Sequence, residues 1–261
     1  MLRNFTQGVE SNFRIIIALM MREIVTRYGR QGLGFAWLVG EPLLFVFAVI
    51  LIWSLIKSPY QHGIRIAPFV MTGYMSLLMF RHMISYGMSA VSGNIGLLYH
   101  QHIQILHVYI ARFLIEFAGS TLAFCITYLI LLGTGQVGLP SDLLLVYWGW
   151  ISLFVFAAGA AMTLSALALE FDIIERLSNV LLYAILPFSG VFVMAAWLPT
   201  RYREIYMTFP MPHAIEMIRA GVFGEFVETH YDAMYPFFWG SFLFLVGLIL
   251  LSRAKQHVDA D

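Results

Sequence analysis

The sequence predicts an all-α integral membrane protein with six transmembrane helices, an N-terminal amphipathic interface helix and a re-entrant or interfacial helical region on the outer side. Of its 261 residues, 60% are hydrophobic and only 11% are charged, whereas soluble domains are about 45–50% apolar and about 25% charged. The sequence also contains long runs without charged residues, and a transmembrane helix needs roughly 20 mostly apolar residues. The formal net charge of zero argues against a nucleic-acid binder, which carries a basic excess.

The charge-free runs place the spans near residues 36–56, 66–90, 111–133, 144–169, 177–197 and 234–252. The N-terminal segment carries five arginines between Arg3 and Arg30, and the C-terminal end carries Arg253 and Lys255. With an even number of spans, this predicts that the N- and C-termini are both cytoplasmic. The 134–142 loop has no Lys or Arg and is expected outside. The 198–233 loop is also expected outside, although it holds Arg201, Arg203 and Arg219.

Residues 13–34 are predicted to form the amphipathic interface helix. Apolar side chains recur there at helical spacing, and charged or polar ones fill the other positions. The apolar face consists of Met21, Ile24, Val25 and Tyr28. Such a helix lies in the membrane interface with this face toward lipid. A simple membrane anchor without a partner is the alternative.

The fifth span is interrupted. Pro187 removes one backbone donor and Gly190 follows three residues later. Broken helices at membrane depth are tolerated where protein or a water-filled cavity surrounds them. Beyond the break, residues 198–223 are expected to form re-entrant or periplasmic helices, in which Glu216 and Arg219 can pair at i, i+3 spacing. A kinked but ordinary span is the alternative.

Charged residues inside the predicted spans are candidates for a substrate path, because each costs about 2.5–3.5 kcal/mol at a helix centre. They are Glu41, Arg81 and Glu116. Glu116 is expected to pair with Arg112, which precedes it by one helical turn.

Arg81 is the main candidate because it lies roughly in the middle of its span. It shares a helix face with Tyr74, Ser85 and Met88, and this polar seam could line an aqueous path for an anionic substrate. In the alternative, Arg81 is buried and pairs with Glu41 or with backbone carbonyls. The small residues of the fourth span, from Ala157 to Ser165, are expected to serve close helix packing.

Motifs for catalysis are absent from the sequence. It has no Gly-rich loop ending in Gly-Lys-Ser/Thr, and its two lysines are Lys57 and Lys255, so this chain cannot supply a P-loop. His100, His102 and His107 are expected to form a polar cytoplasmic element. They are not expected to bind a metal ion together, because positions two apart do not share a helix face. No metal site is expected. An intramembrane enzyme acting on lipid-linked sugars is a rival, but no spacing indicates a nucleophile with a base.

Several short motifs resemble the permeases of type-2 ABC exporters. They are Arg22-Glu23 with Arg27-Tyr28, Leu33-Gly34, Trp37, Glu41-Pro42, Gly96-Leu97-Leu98, Ala111-Arg112 and the stretch from Pro212 to Arg219. Within that family the chain looks most like the capsular polysaccharide export permeases of Gram-negative bacteria. It departs from the pattern in having no proline between His102 and His107, and in having Phe209-Pro210 where Asn-Pro is common.

The resemblance implies a single permease domain over residues 1–261 that forms a homodimer in the bacterial inner membrane and is not an enzyme. A separate ATPase subunit would bind ATP and Mg, and a polysaccharide co-polymerase-type adaptor would take part. The cargo would be lipid-linked capsular polysaccharide; O-antigen or teichoic-acid polymers are the alternatives. The implied site residues are an interface helix with Arg22, Glu23, Arg27 and Tyr28, a coupling helix over 94–102 with Asn94, Leu97, Leu98, Tyr99, His100 and His102, and an outer motif of His213, Glu216 and Arg219.

Overall fold

The computed structural model describes residues 2–28, 33–94, 103–224 and 227–258. Of the described residues, 80% are helical. The helices are α1 (Leu2–Tyr28), α2 (Leu33–Ile56), α3 (Ile66–Met88), α4 (Ile105–Gly133), α5 (Leu143–Glu170), α6 (Asp172–Ala184), α7 (Thr200–Tyr206), α8 (Pro210–Phe223) and α9 (Tyr235–Val258). A two-residue antiparallel hairpin, β1 (Tyr60–Gln61) with β2 (Ile64–Arg65), joins α2 to α3.

Four helices within the described residues are long and apolar enough to cross a membrane. They cover Ala36–Ile56, Ile105–Gly133, Leu143–Glu170 and Tyr235–Arg253. Each matches one predicted span, although α4 begins six residues before the predicted 111. The charge-free runs therefore located these four helices correctly.

The second and fifth predicted spans are not among these four helices. The second coincides with α3, which is 23 residues long but is not one of the four. The fifth is not one continuous helix, because α6 is only 13 residues long and ends at Ala184. Short 3₁₀ turns follow at Leu186–Phe188 and Ala195–Trp197. The break occurs just before Pro187, whose ring cannot continue a helical hydrogen-bond ladder.

Helix α1 begins well before the predicted residue 13 and is described as far as Tyr28. Residues 29–32 of the predicted 13–34 segment lie outside the described residues. One ridge of α1 is apolar and exposed, and its members recur every four residues. They are Phe13, Ile17, Met21 and Val25. The opposite ridge, with Glu23 and Arg27, faces α3 and α4.

The core centres on α3, which is buried from Ile66 to Phe80 because α2, α4, α5 and α8 surround it. Helices α5 and α9 approach each other through glycines. A Cβ on Gly159 would collide with the carbonyl of Gly240, and one on Gly247 would lie 2.7 Å from Met162 Cγ. The predicted packing role of the small residues in α5 is confirmed, because only glycine permits this separation.

Candidate functional site

Two polar clusters lie against opposite ends of α3. The arginine–glutamate network comprises Glu23 and Arg27 of α1 with Arg112 and Glu116 of α4, and Arg27 sits over the ring of Tyr86. The Arg219 cluster comprises His213, Glu216 and Arg219 of α8, and Arg219 sits over the ring of Phe69. The two ring positions on α3 are about 25 Å apart at 1.5 Å per residue.

Four charged side chains in the network form three ion pairs, two of which join α1 to α4. Arg27 Nη1 lies 2.5 Å from Glu116 Oε1, and Arg27 Nε lies 2.9 Å from Glu23 Oε1. Arg112 Nη2 lies 2.9 Å from the same Glu23 oxygen. The expected pair of Arg112 with Glu116 is therefore wrong. Each residue instead binds a partner on α1, because both helices carry opposite charges at the same i, i+4 spacing and lie in register.

The four charged side chains of the network are buried, so their positive and negative charges must compensate each other. The side chains of Arg27, Glu23, Arg112 and Glu116 are exposed by only 13%, 11%, 7% and 1%. Burial works against the charged form of Arg27, but Glu116 and Glu23 outweigh it and raise the pKa of this guanidinium. Two cations and two anions thus compensate each other.

Hydrogen bonds extend the network to the end of α3. Arg112 Nη1 donates to the carbonyl of Tyr86 at 2.6 Å and to Ser89 Oγ at 2.9 Å. Arg22 Nη1 donates to Asn94 Oδ1 at 2.7 Å, and Asn94 Nδ2 donates to the carbonyl of Ala90 at 3.0 Å. Asn94 thereby links α1 to the beginning of the predicted coupling helix.

The other predicted coupling residues lie outside the described residues, as does the side chain of Tyr28. They are Leu97, Leu98, Tyr99, His100 and His102. His107 is described, and its Nδ1 accepts a hydrogen bond from the backbone N–H of Gln104 at 3.2 Å. This histidine therefore caps the start of α4.

The predicted path residues do not form one site. The guanidinium of Arg81 lies 5.0 Å from the ring centre of Tyr183 in α6, and within the described part of the chain no carboxylate lies within 4 Å of it. The alternative pairing of Arg81 with Glu41 is therefore wrong. Glu41 is instead 3.9 Å from His82 Nε2, while His82 Nδ1 is 3.7 Å from Glu116 Oε2.

Ser85 is exposed one turn from Arg81, whereas Tyr74 is buried about 10 Å away along α3. Tyr74 belongs to an aromatic group with Trp53 and Phe192, with ring centres 6.0 Å from each. Trp53 also carries Lys57 Nζ 3.6 Å above its ring. Tyr74 is thus a packing residue in this structure, separated from Arg81.

Arg219 is fully buried and holds an irregular segment, residues 189–198, against α8. Its Nη1 donates to the carbonyl of Gly190 at 2.7 Å, and its Nη2 donates to the carbonyl of Val191 at 3.1 Å. Gly190 has φ 91°, a value that favours glycine. The predicted pair with Glu216 is confirmed, with Arg219 Nη1 at 3.9 Å from Glu216 Oε1.

Glu216 and His213 fasten two further loops to α8. Glu216 accepts hydrogen bonds from the backbone N–H of Ala195 at 3.3 Å and of His230 at 3.2 Å. Burial raises the pKa of Glu216, and Arg219 opposes this shift.

His213 Nδ1 accepts from the N–H of Asp232 at 2.7 Å, so Nε2 carries the proton and donates to the carbonyl of Met207 at 2.7 Å. Burial lowers the pKa of His213, which favours this neutral form. Sequence reasoning found the motif but missed that it binds backbone. Pro187 and Gly190 were the available signals, since an irregular buried segment needs polar partners.

The family model of the ABC-2 type transporter matches residues 14–223, and the chain belongs to that family. The resemblance to type-2 ABC exporter permeases is thereby confirmed. Members are transport subunits that pair with an ATPase and are not catalytic enzymes.

Individual relatives are similar over almost the whole chain. The capsule polysaccharide export inner-membrane protein CtrC of Neisseria meningitidis serogroup B is 33% identical over 256 residues, covering 98% of this chain and 97% of CtrC. The protein of the same description from Haemophilus influenzae, BexB, is 34% identical over 255 residues, covering 98% and 96%. The polysialic acid transport protein KpsM of Escherichia coli is 23% identical over 232 residues, covering 87% and 90%.

Proposed function

We propose that this chain is the membrane-spanning permease of an ATP-driven exporter that moves lipid-linked capsular polysaccharide across the bacterial inner membrane. The observation that carries the proposal is the 33% identity to CtrC over 98% of the chain. BexB and KpsM, which are named for the same kind of transport, support it. The partner ATPase would bind ATP and Mg, since this sequence has no P-loop.

The topology proposed for the chain has six spans, with both termini cytoplasmic. Helix α3 would be the second span, and α6 with the 189–198 segment would be the broken fifth. The exposed apolar ridge of α1 supports its position as an interface helix with lipid on that side. Helices α7 and α8, within residues 198–223, would form the re-entrant or periplasmic cap.

A homodimer accounts for the exposure of α2. Only 17% of its membrane-crossing stretch is buried within the chain, and a second copy could cover the rest. The coupling helix over 94–102 would dock into the ATPase on the cytoplasmic side. A polysaccharide co-polymerase-type adaptor would receive the polymer beyond the membrane.

Arg81 is the best candidate for contact with an anionic cargo. In the proposed topology it lies about 22 Å along α3 from Ile66, in the cytoplasmic third of a roughly 30 Å hydrocarbon core. It is half-buried, and its aromatic neighbour Tyr183 is 60% exposed. A cation held at this depth without a nearby carboxylate favours an external anion, such as an acidic sugar or a phosphate. Ser85 lies exposed beside it.

Deleting the gene and staining the cell surface for capsule tests the proposal. Loss of surface capsule with polymer retained inside the cell, restored by the plasmid-borne gene, is the expected result. An intact capsule with altered O-antigen or teichoic acid would reject the cargo. A purified chain that converts a lipid-linked sugar without any ATPase would favour the intramembrane enzyme instead.

A further inference from the structure

We propose that Arg27 is a positioning residue for transport, which fastens α1 to α3 and α4 so that α1 and the beginning of the coupling segment move as one unit. This inference rests on the proposed function, because it concerns how ATPase movement reaches the path. Arg27 itself touches neither cargo nor nucleotide in this assignment.

The first support is that one guanidinium joins three helices. Arg27 contacts Glu23 on its own helix and Glu116 on α4, and its planar group lies 3.6 Å from the ring centre of Tyr86 on α3. A planar fork with fixed donor directions can serve two carboxylates and an aromatic face at once. Lysine presents a compact point charge and cannot reproduce this geometry.

The second support is that attachment of α1 does not require charges. Buried ion pairs stabilise a fold little more than apolar side chains of the same volume, because desolvation offsets the attraction. Helix α1 already packs Leu19 and Met20 against the core, while Met21 and Val25 point away from the protein. The charged ridge is therefore an addition to an apolar attachment that could hold the helix by itself.

The third support is that the network retains spare donors. Arg27 Nη2 and Arg112 Nε are buried and have no hydrogen-bond partner in the described part of the chain. Buried donors of this kind are rare in proteins. Here each guanidinium keeps its place on a carboxylate of the neighbouring helix although one of its own donors stays unpaired, so the carboxylate contacts hold α1 against α4.

The fourth support is position. Arg22 binds Asn94 on the same end of α1, immediately before residues 95–102. On the other side His82 lies between Glu116 and Glu41, beside Arg81. Asn94 is thus bound to Arg22 of α1, and Glu23 is the next residue along that helix. From Glu23 the polar contacts continue through Arg27 and Glu116 to His82, within the half of α3 that ends at Met88.

The experiment replaces Arg27 by methionine in the full permease with its own ATPase in capsulated cells. Arg14→Met is the matched control, because Arg14 forms the same i, i+4 pair with Glu10 on the same helix but is 76% exposed. Permease abundance, ATPase co-purification, ATP hydrolysis by the purified complex and surface capsule are measured for each variant.

Arg27→Met leaves Glu116 without its cation, so its capsule is compared per permease molecule present in the membrane. On that basis it is expected to keep its ATPase and its ATP hydrolysis and to reduce surface capsule by about tenfold, within the usual range for coupling between sites. Arg27→Lys should be intermediate and Arg14→Met normal. Normal capsule in Arg27→Met overturns the inference, as does a loss of capsule that only parallels the loss of protein.

If Arg27→Met does not accumulate in the membrane, Arg22→Gln decides the question, since Arg22 lies on the exposed side of α1. That variant should also separate ATP hydrolysis from export, and normal export would refute the inference. If the proposed function itself is wrong, the result is different, because complementation with the wild-type gene will not restore capsule.

Discussion

Replacing Arg219 by methionine removes the only group that binds the carbonyls of Gly190 and Val191 in the described structure, at 2.7 and 3.1 Å. Methionine has similar length and no charge, so the change isolates the polar role of the guanidinium. It also leaves Glu216 fully buried without its cation. The expected result is a less stable chain in which the 189–198 segment detaches from α8.

The size of the effect follows from burial. Breaking a buried ion pair by removing one partner costs about 3–5 kcal/mol, mainly because the remaining charge is uncompensated. For a chain of this size each kcal/mol lowers Tm by roughly 2–4 °C, so the expected loss is about 6–20 °C. Adding Glu216→Gln should recover part of it, since a neutral amide costs far less to bury and its oxygen can still accept from Ala195.

Thermal melting of the purified permease in detergent or lipid nanodiscs measures these values. Arg201→Met is the control, because Arg201 is exposed on α7. A double variant that is less stable than Arg219→Met, or an Arg219→Met variant that melts like the control, would falsify the view that Arg219 and Glu216 compensate each other. Limited proteolysis between residues 189 and 198 would report the predicted detachment directly.

Three further changes test other parts of the structure. Gly240→Val should prevent α5 and α9 from closing and sharply lower the yield of folded protein, because its side chain would enter the backbone of Phe156; normal yield and Tm would contradict the close approach. Arg81→Gln should lower capsule export while dimer and ATPase still co-purify. Unchanged export would show that Arg81 serves packing and does not contact the cargo. Asp142→Ala removes the cap that accepts from the N–H of Leu145 at 3.0 Å and should cost about 1 kcal/mol; Asp142→Asn should lose less, and equal losses would contradict the capping role.

The sequence predicted best what depends on composition alone. Four helices match predicted spans, because lipid requires long apolar stretches whatever the neighbours are. Pro187 indicated the broken fifth span, yet no local signal showed that the helix would end as early as Ala184.

Charged contacts were harder to predict because they depend on which helices meet. Spacing on α4 suggested Arg112 with Glu116, whereas Glu23 and Arg27 of α1 take both places. The match between Glu23-x₃-Arg27 and Arg112-x₃-Glu116 was present in the sequence, but it has meaning only once α1 is known to lie beside α4. Glu216 with Arg219 was predictable, since both residues lie on one helix.

The glycine contact between α5 and α9 limits how this molecule can deform. Where two backbones touch at Gly159, Gly240 and Gly247, no layer of side chains is left to shear, so these helices translate and rotate as one solid body. Helix α8 lies against α5, and through Arg219 it carries the 189–198 segment with that body. Relative motion within the chain is thereby directed to the boundary between this body and the part of the chain where α1, α3 and α4 are held together by charged side chains.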